Sequence, residues 1–87
     1  MYVLVVYDVQ VSRINKVHKY LKRYLNWVQN SVFEGELTDA QIETVKIGLE
    51  KILDRNSDSV LLYIARQQQW LKKEVVGCER ATTDNLL

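Results

Sequence analysis

The chain has 87 residues, a formal net charge of +1 and a hydrophobic fraction of 47%. A chain of this length forms one small domain, to which association with a second copy would add useful burial. The lone cysteine, Cys78, excludes a disulfide within one chain, and the apolar start is too short to span a bilayer. Because no basic leader precedes that start, these features predict a soluble, cytoplasmic protein that does not bind membranes.

The first predicted element is a strand over residues 2–7, where valines and aromatic residues run without polar alternation. Such a run is typical of a strand covered on both faces. Asp8 follows directly and puts a carboxylate at the strand's carboxyl end, where layered α/β folds commonly bind ligands. Aspartate in this place also serves turns and helix caps, so Asp8 is either a structural residue or a metal ligand.

A basic amphipathic helix is predicted next, with Ser12 as its N-cap. Its apolar stripe has helical spacing and comprises Ile14, Val17, Leu21, Tyr24 and Leu25. Residues 10–33 contain no acid and five cations, which are Arg13, Lys16, Lys19, Lys22 and Arg23. Four of these project opposite the stripe and Arg13 lies at its border. This face is predicted to contact nucleic-acid phosphates, with a merely solvated face as the alternative.

Residues 27–37 are predicted to be extended, with Asn30 as a break between two strands. Thr38 and Gln41 have the spacing of a capping box, which predicts the start of a second helix. That helix repeats the apolar spacing of the first, with Ile42, Val45, Leu49, Ile52 and Leu53. Another continuous apolar strand is predicted over residues 59–65, and a short last strand over about 70–77.

The order β-α-β-β-α-β predicts an α+β, ferredoxin-like domain over residues 1–77, with an extra C-terminal strand and a mobile tail at 78–87. In this plan both helices cover one face of a four-stranded antiparallel sheet. The strands at 2–7 and 60–65 do not alternate, so the other face is expected to be buried too. The simplest cover is a second copy, which predicts a homodimer through the sheet face.

A carboxylate beside a cationic helix is typical of a site that holds a divalent ion for phosphodiester cleavage. Magnesium usually takes one or two carboxylates, so the second is expected from Asp8 of a second copy. His18 projects near the apolar stripe and is predicted to pack instead of acting as a base. Tyr7, Trp27 and Phe33 are predicted to be core residues, with base stacking as the alternative.

The chain resembles the CRISPR-associated protein 2 family along nearly its whole length. The resemblance rests above all on Val28-Gln29-Asn30-Ser31-Val32-Phe33-Glu34-Gly35, and also on the opening strand that ends in Tyr7-Asp8 and on Asp58-Ser59-Val60. It implies a ferredoxin-like homodimer whose last strand, here residues 70–77, crosses to the partner's sheet. It also implies association with the integrase, CRISPR-associated protein 1, and capture of foreign double-stranded DNA as new spacers.

Some family members are described as Mg²⁺-dependent endonucleases on single-stranded RNA or double-stranded DNA. By position, the resemblance carries the family's metal-binding aspartate to Asp8 and the phenylalanine linked to activity to Phe33. One departure is Trp27, where many relatives have arginine, and this loss of a cation favours holding DNA over cleaving it. The alternatives are a non-catalytic DNA-binding scaffold, a free-standing ribonuclease toxin of the same fold, and a regulatory domain that binds a small molecule.

Overall fold

The computed structural model describes residues 1–80. Its elements follow the predicted order and are β1 (Tyr2–Asp8), α1 (Val11–Lys22), β2 (Asn26–Gln29), β3 (Val32–Glu36), α2 (Asp39–Ile52) and β4 (Ser59–Ala65), followed by a 3₁₀ turn at Gln68–Trp70. The strands form one antiparallel sheet in the order β2-β3-β1-β4. This arrangement confirms the α+β, ferredoxin-like prediction.

The core lies between the two helices and one face of the sheet. Alternation along β1 turns its odd-numbered side chains toward the helices, and Val3, Val5 and Tyr7 are accordingly buried. The rest of this core includes Val17, Leu21, Leu25, Phe33, Leu37, Ile42, Val45 and Leu49. The apolar stripes predicted for the two helices thus supply most of the helical side of the core.

The two helices begin in different ways. The capping box at α2 is confirmed, since the Gln41 amide donates to Thr38 Oγ1 at 3.1 Å and the Thr38 amide donates to Gln41 Oε1 at 2.9 Å. The prediction of Ser12 as the N-cap of α1 is wrong, because the cap is Gln10 and it makes no side-chain cap bond. The backbone amide of Gln10 donates instead to Asp58 Oδ1 at 2.9 Å, so an acid that is distant in the sequence fixes this end of the helix.

The break predicted at Asn30 is confirmed as the turn between β2 and β3. Asn30 has a φ of 43°, in the left-handed region that asparagine tolerates better than most residues. The indole of Trp27 donates to the Asn30 carbonyl at 3.0 Å and closes the turn. The signature segment of the resemblance is therefore a β-hairpin.

Residues 71–80 contain no helix or strand in this single chain. The strand predicted over 70–77 was expected to form with a partner chain, so that prediction stands untested. Of the predicted tail at 78–87, residues 81–87 lie outside the described part of the chain. Neither α1 nor α2 has the length and apolar composition that a membrane-spanning helix needs.

Candidate functional site

Asp8 is the last residue of β1 and is exposed. Its Cα partner across the sheet is Ser59, the first residue of β4. Strand alternation gives Asp8 the same orientation as Leu4 and Val6, away from the helices. The predicted ligand therefore lies at the rim of the sheet face that the helices leave uncovered, which we call the open face.

The open face is apolar next to Asp8. Leu4 and Val6 of β1 are half-buried there, and their β4 partners Tyr63 and Leu61 are each 51% exposed. Large apolar side chains at this exposure, grouped on adjoining strands, form a patch of the kind that marks an interaction site. The open face thus combines an uncovered apolar patch with one carboxylate at its rim.

The β2 and β3 side of the open face is partly covered by the C-terminal segment. Lys73 donates to Glu34 Oε1 at 3.0 Å and to Glu79 Oε1 at 3.2 Å. Beneath this segment lies a cavity of about 280 Å³, lined in part by Leu4, Val32 and Val75. Its walls are mostly apolar. The C-terminal segment therefore lies over this part of the face and leaves an apolar cavity beneath it.

The five predicted nucleic-acid contacts on α1 and just beyond it differ in environment. Lys16, Lys19, Lys22 and Arg23 are exposed, as a phosphate-binding surface requires. The guanidinium of Arg23 also lies 5.8 Å from the ring centroids of Tyr20 and Tyr24. Arg13 is different, because its Nε and Nη2 both donate to the carboxylate of Asp58.

Reasoning from the sequence missed the role of Asp58, which it named only as part of the Asp58-Ser59-Val60 segment that contributes to the resemblance. Its side chain is fully inaccessible to solvent. The hydrogen bonds from Arg13 hold the pKa of the Asp58 carboxyl well below its usual range, and the backbone amides of Asp54 and Gln10 add to the effect. No local spacing could have revealed the pair, since 45 residues separate Arg13 from Asp58.

Phe33, the second residue to which the resemblance assigns activity, is fully buried. Its ring contacts the His18 imidazole edge-on, with 5.0 Å between centroids, and lies 6.3 Å from the Tyr7 ring. A side chain in this position does not touch a substrate, so any contribution of Phe33 passes through the strands that it supports. Tyr7 and Phe33 are core residues, as predicted.

His18 packs against the core, as predicted, and no acid within residues 1–80 forms a salt bridge with it. Burial, together with the nearby charge of Lys22, lowers the pKa of its imidazole. Trp27 is half-buried beside it, with 6.3 Å between the rings. Trp27 is paired with Phe33 in the sheet and so faces the helices, whereas Asp8 has the opposite orientation.

The described residues 1–80 contain no group of three or more His, Cys, Asp or Glu side chains that could hold a metal ion. Asp8 offers hard oxygen donors, which suit Mg²⁺, but within residues 1–80 it does not belong to a group of three such side chains. The residues therefore fit half of a magnesium site. A complete site needs oxygen donors from another molecule, such as a second copy, a nucleic acid or water.

A family model described as CRISPR associated protein Cas2 matches residues 1–73. The chain belongs to the Cas2 family. One Cas2 relative, "CRISPR-associated endoribonuclease Cas2" of Pyrococcus furiosus, is 52% identical over 87 residues, which is 100% of both chains. Another, "CRISPR-associated endoribonuclease Cas2 2" of Archaeoglobus fulgidus, is 52% identical over 80 residues, or 92% of this chain and 87% of the relative.

Solved Cas2 structures have the same fold. The structure titled "Crystal structure of cas2" superposes with a TM-score of 0.85 at 51% identity and covers 93% of this chain and 91% of that one. Cas2 of Streptococcus pyogenes, solved at pH 6.5, has a TM-score of 0.79 at 35% identity over 88% of this chain and 100% of the other. Membership of the Cas2 family makes this a CRISPR-associated protein.

Proposed function

We propose that the chain functions as a homodimer joined through the open face of the sheet, with the C-terminal segment at 70–77 pairing with the partner's sheet. The apolar patch of Leu4, Val6, Leu61 and Tyr63 supports this proposal, because water contact with such a patch is unfavourable. A two-fold interface brings the same surface of both copies together. The position of Asp8 at the rim of this face carries the functional proposal, since the dimer then has two carboxylates along one interface.

The dimer acts, in this proposal, as the CRISPR adaptation subunit that binds foreign double-stranded DNA together with the integrase subunit for spacer acquisition. Lys16, Lys19 and Lys22 on α1 and Arg23 just beyond its end are exposed in each copy. Such cations contact phosphates without reading bases, which suits a protein that captures DNA of any sequence. Cytoplasmic nucleic acid is the expected substrate.

The relatives' names as endoribonucleases support a second activity, phosphodiester cleavage of single-stranded RNA or double-stranded DNA. The two Asp8 carboxylates would hold a divalent cation such as Mg²⁺. When bound, such an ion polarises a phosphoryl oxygen and lowers the pKa of a water ligand. The chain's own contribution is to hold Asp8 at the rim and to grip the substrate's phosphates with α1.

A non-catalytic DNA-binding scaffold is the alternative that a specific observation favours. Within residues 1–80 Asp8 does not belong to a group of three or more metal-ligating side chains, and a scaffold needs no such group. Trp27, in the place of the arginine of many relatives, faces the helices and packs near His18. Position 27 and Asp8 thus face opposite sides of the sheet, so the exchange of arginine for Trp27 does not change the charge beside Asp8.

Asp8→Asn tests the two activities separately because it removes the negative charge while keeping the shape. The cleavage proposal expects the variant to lose Mg²⁺-dependent cutting of RNA and duplex DNA, and chelator to abolish cutting by wild type. The scaffold alternative expects DNA binding and spacer acquisition to survive in the same variant. Equal residual cleavage by wild type and variant would point to a contaminating nuclease and remove the catalytic proposal.

The dimer interface has a matched pair of variants in β4. Tyr63 and Ile64 are neighbours with the same 51% exposure, but Tyr63 lies on the open face and Ile64 on the helix side. Tyr63→Lys is expected to shift the protein toward monomer in sedimentation equilibrium, and Ile64→Lys is expected to shift it less. A Tyr63→Lys protein that dimerises as tightly as wild type would exclude the open face as the interface.

A further inference from the structure

We propose that Asp58 is a positioning residue for Asp8, acting through a set of hydrogen bonds that we call the Asp58 brace. The brace consists of Asp58 and the three groups that donate to it, which are the Gln10 amide, the Asp54 amide and the Arg13 guanidinium. This inference rests on the proposed role of Asp8 as a metal ligand. It assigns a function to an acid that touches neither substrate nor metal.

The brace joins three separate segments of the chain. Asp58 Oδ1 accepts from the Gln10 amide at 2.9 Å and from Arg13 Nη2 at 3.1 Å. Asp58 Oδ2 accepts from the Asp54 amide at 2.9 Å and from Arg13 Nε. One inaccessible carboxylate thus ties the β1–α1 connection, the first turn of α1 and the α2–β4 turn to one point.

Two of these connections flank Asp8 directly. Gln10 follows Asp8 by two residues, so its bond to Asp58 fixes the chain just after β1 ends. Ser59, which follows Asp58, is the residue opposite Asp8 in the sheet. The backbone on both sides of the Asp8 carboxylate is therefore held by the same side chain, and a metal ligand needs such support to keep its geometry.

The brace requires a charged carboxylate because Asp58 is the acceptor in all four hydrogen bonds. An aspartate offers two acceptor oxygens, whereas asparagine offers one oxygen and one NH₂ group. In Asp58→Asn, two of the four donors lose their acceptor and meet another donor. The variant keeps the side-chain volume, so it removes two of the four bonds without creating a cavity. Depending on the position that the NH₂ group takes, the Gln10 or the Asp54 amide is among the donors that lose their acceptor.

The test compares Asp58→Asn with Asp54→Asn, a matched control in the same turn. Within residues 1–80 the Asp54 side chain accepts a hydrogen bond only from the Asn56 backbone amide, at 3.0 Å, so the control removes the same charge without touching Gln10. In the folded dimer, Asp58→Asn should raise hydrogen exchange about tenfold or more at either the Gln10 or the Asp54 backbone amide, because one of these two amides loses its charged acceptor. Asp54→Asn should leave the rate at Gln10 at the wild-type value.

A second measurement connects the brace to Asp8. Titration with Mn²⁺, used as the probe ion, should show about 10- to 100-fold weaker binding in Asp58→Asn, the loss typical when a ligand's support is removed. Arg13→Lys keeps the positive charge but loses the paired donation from Nε and Nη2 to the two oxygens of Asp58. It should therefore change both measurements less than Asp58→Asn does. It provides the test if Asp58→Asn fails to fold.

The two proposals fail in different ways. Wild-type exchange at both the Gln10 and the Asp54 amide in folded Asp58→Asn, or in Arg13→Lys if the former is unfolded, would overturn the brace as a positioning device. Wild-type Mn²⁺ affinity in Asp58→Asn, alongside its loss in Asp8→Asn, would overturn the link between the brace and the metal site. Equal Mn²⁺ binding by wild type and Asp8→Asn would instead remove the proposed role of Asp8 itself, and with it the positioning inference.

Discussion

Gly48, in the interior of α2, leaves the space into which the Tyr20 ring of α1 packs. A Cβ at position 48 would lie 2.8 Å from Tyr20 Cε1 and nearer still to its hydroxyl and Cζ. The Tyr20 hydroxyl donates to the Thr44 carbonyl at 2.9 Å, which holds the ring in place. Gly48→Ala therefore forces the two helices apart or drives the ring out of this space.

The expected magnitude combines opposing effects. Alanine in a helix interior is favoured over glycine by about 1 kcal/mol. Overpacking costs about 1–3 kcal/mol, and the hydrogen bond to Thr44 is worth about 1 kcal/mol if the ring must leave. With the ring displaced and its hydrogen bond lost, Gly48→Ala should thus lower the free energy of unfolding by about 1–3 kcal/mol, against the sign that helix propensity alone predicts.

The assay is urea unfolding at one fixed protein concentration, because dimerisation makes apparent stability depend on concentration. In a Tyr20→Ala background the ring is gone, and Gly48→Ala should then stabilise by about 1 kcal/mol. Tyr20→Phe is the matched control, since it loses the hydrogen bond but keeps Cζ, so Gly48→Ala should remain destabilising there. A Gly48→Ala protein that is more stable than wild type would refute the reasoning.

Three further predictions concern charge. The pKa of the Asp58 carboxyl is lowered from 3.8 in the folded protein, so the stability that Asp58 contributes is present above pH 3.8 and is lost as the pH falls through the pKa of the folded state. The Tm difference between wild type and Asp58→Asn should therefore become smaller in acid. Burial lowers the pKa of His18 from 6.5, so stability should fall as pH drops below that value, and His18→Gln should flatten this part of the Tm profile. In DNA-binding titrations, Lys19→Gln should reduce the slope of log K against log salt concentration by about 0.9. Arg13→Gln should leave this slope unchanged, because Arg13 already forms a salt bridge with Asp58. Equal slopes for the two variants would contradict this prediction.

The parts of the fold that local patterns specify could be predicted. The apolar run of β1, the stripes of α1 and α2 and the capping box at Thr38 each depend on residues a few positions apart, and the structure contains all of them. The start of α1 was misassigned to Ser12 because the group that fixes it, Asp58, comes from the other half of the chain. Local pattern rules carry no information about such a bond.

The candidate site was predictable to a similar degree. The place of Asp8 at the end of a strand was predicted, and its orientation toward the open face follows from strand alternation once the buried residues are known. The separation of Arg13 from the other cations of α1 was not predictable, since it depends on a carboxylate 45 residues away. The orientation of Trp27 also needed the register of β2 with β3, which a bulge between Trp27 and Gln29 shifts.

The sheet order places β4 at an edge, with no neighbouring strand on its outer side within residues 1–80. This strand runs for seven residues, Ser59–Ala65, without a charge, a proline or a glycine. Soluble proteins usually interrupt such edges, because a long apolar edge strand is a template for pairing with other chains. The same backbone that makes β4 available to an ordered partner thus makes an unpartnered chain prone to aggregate as its concentration rises.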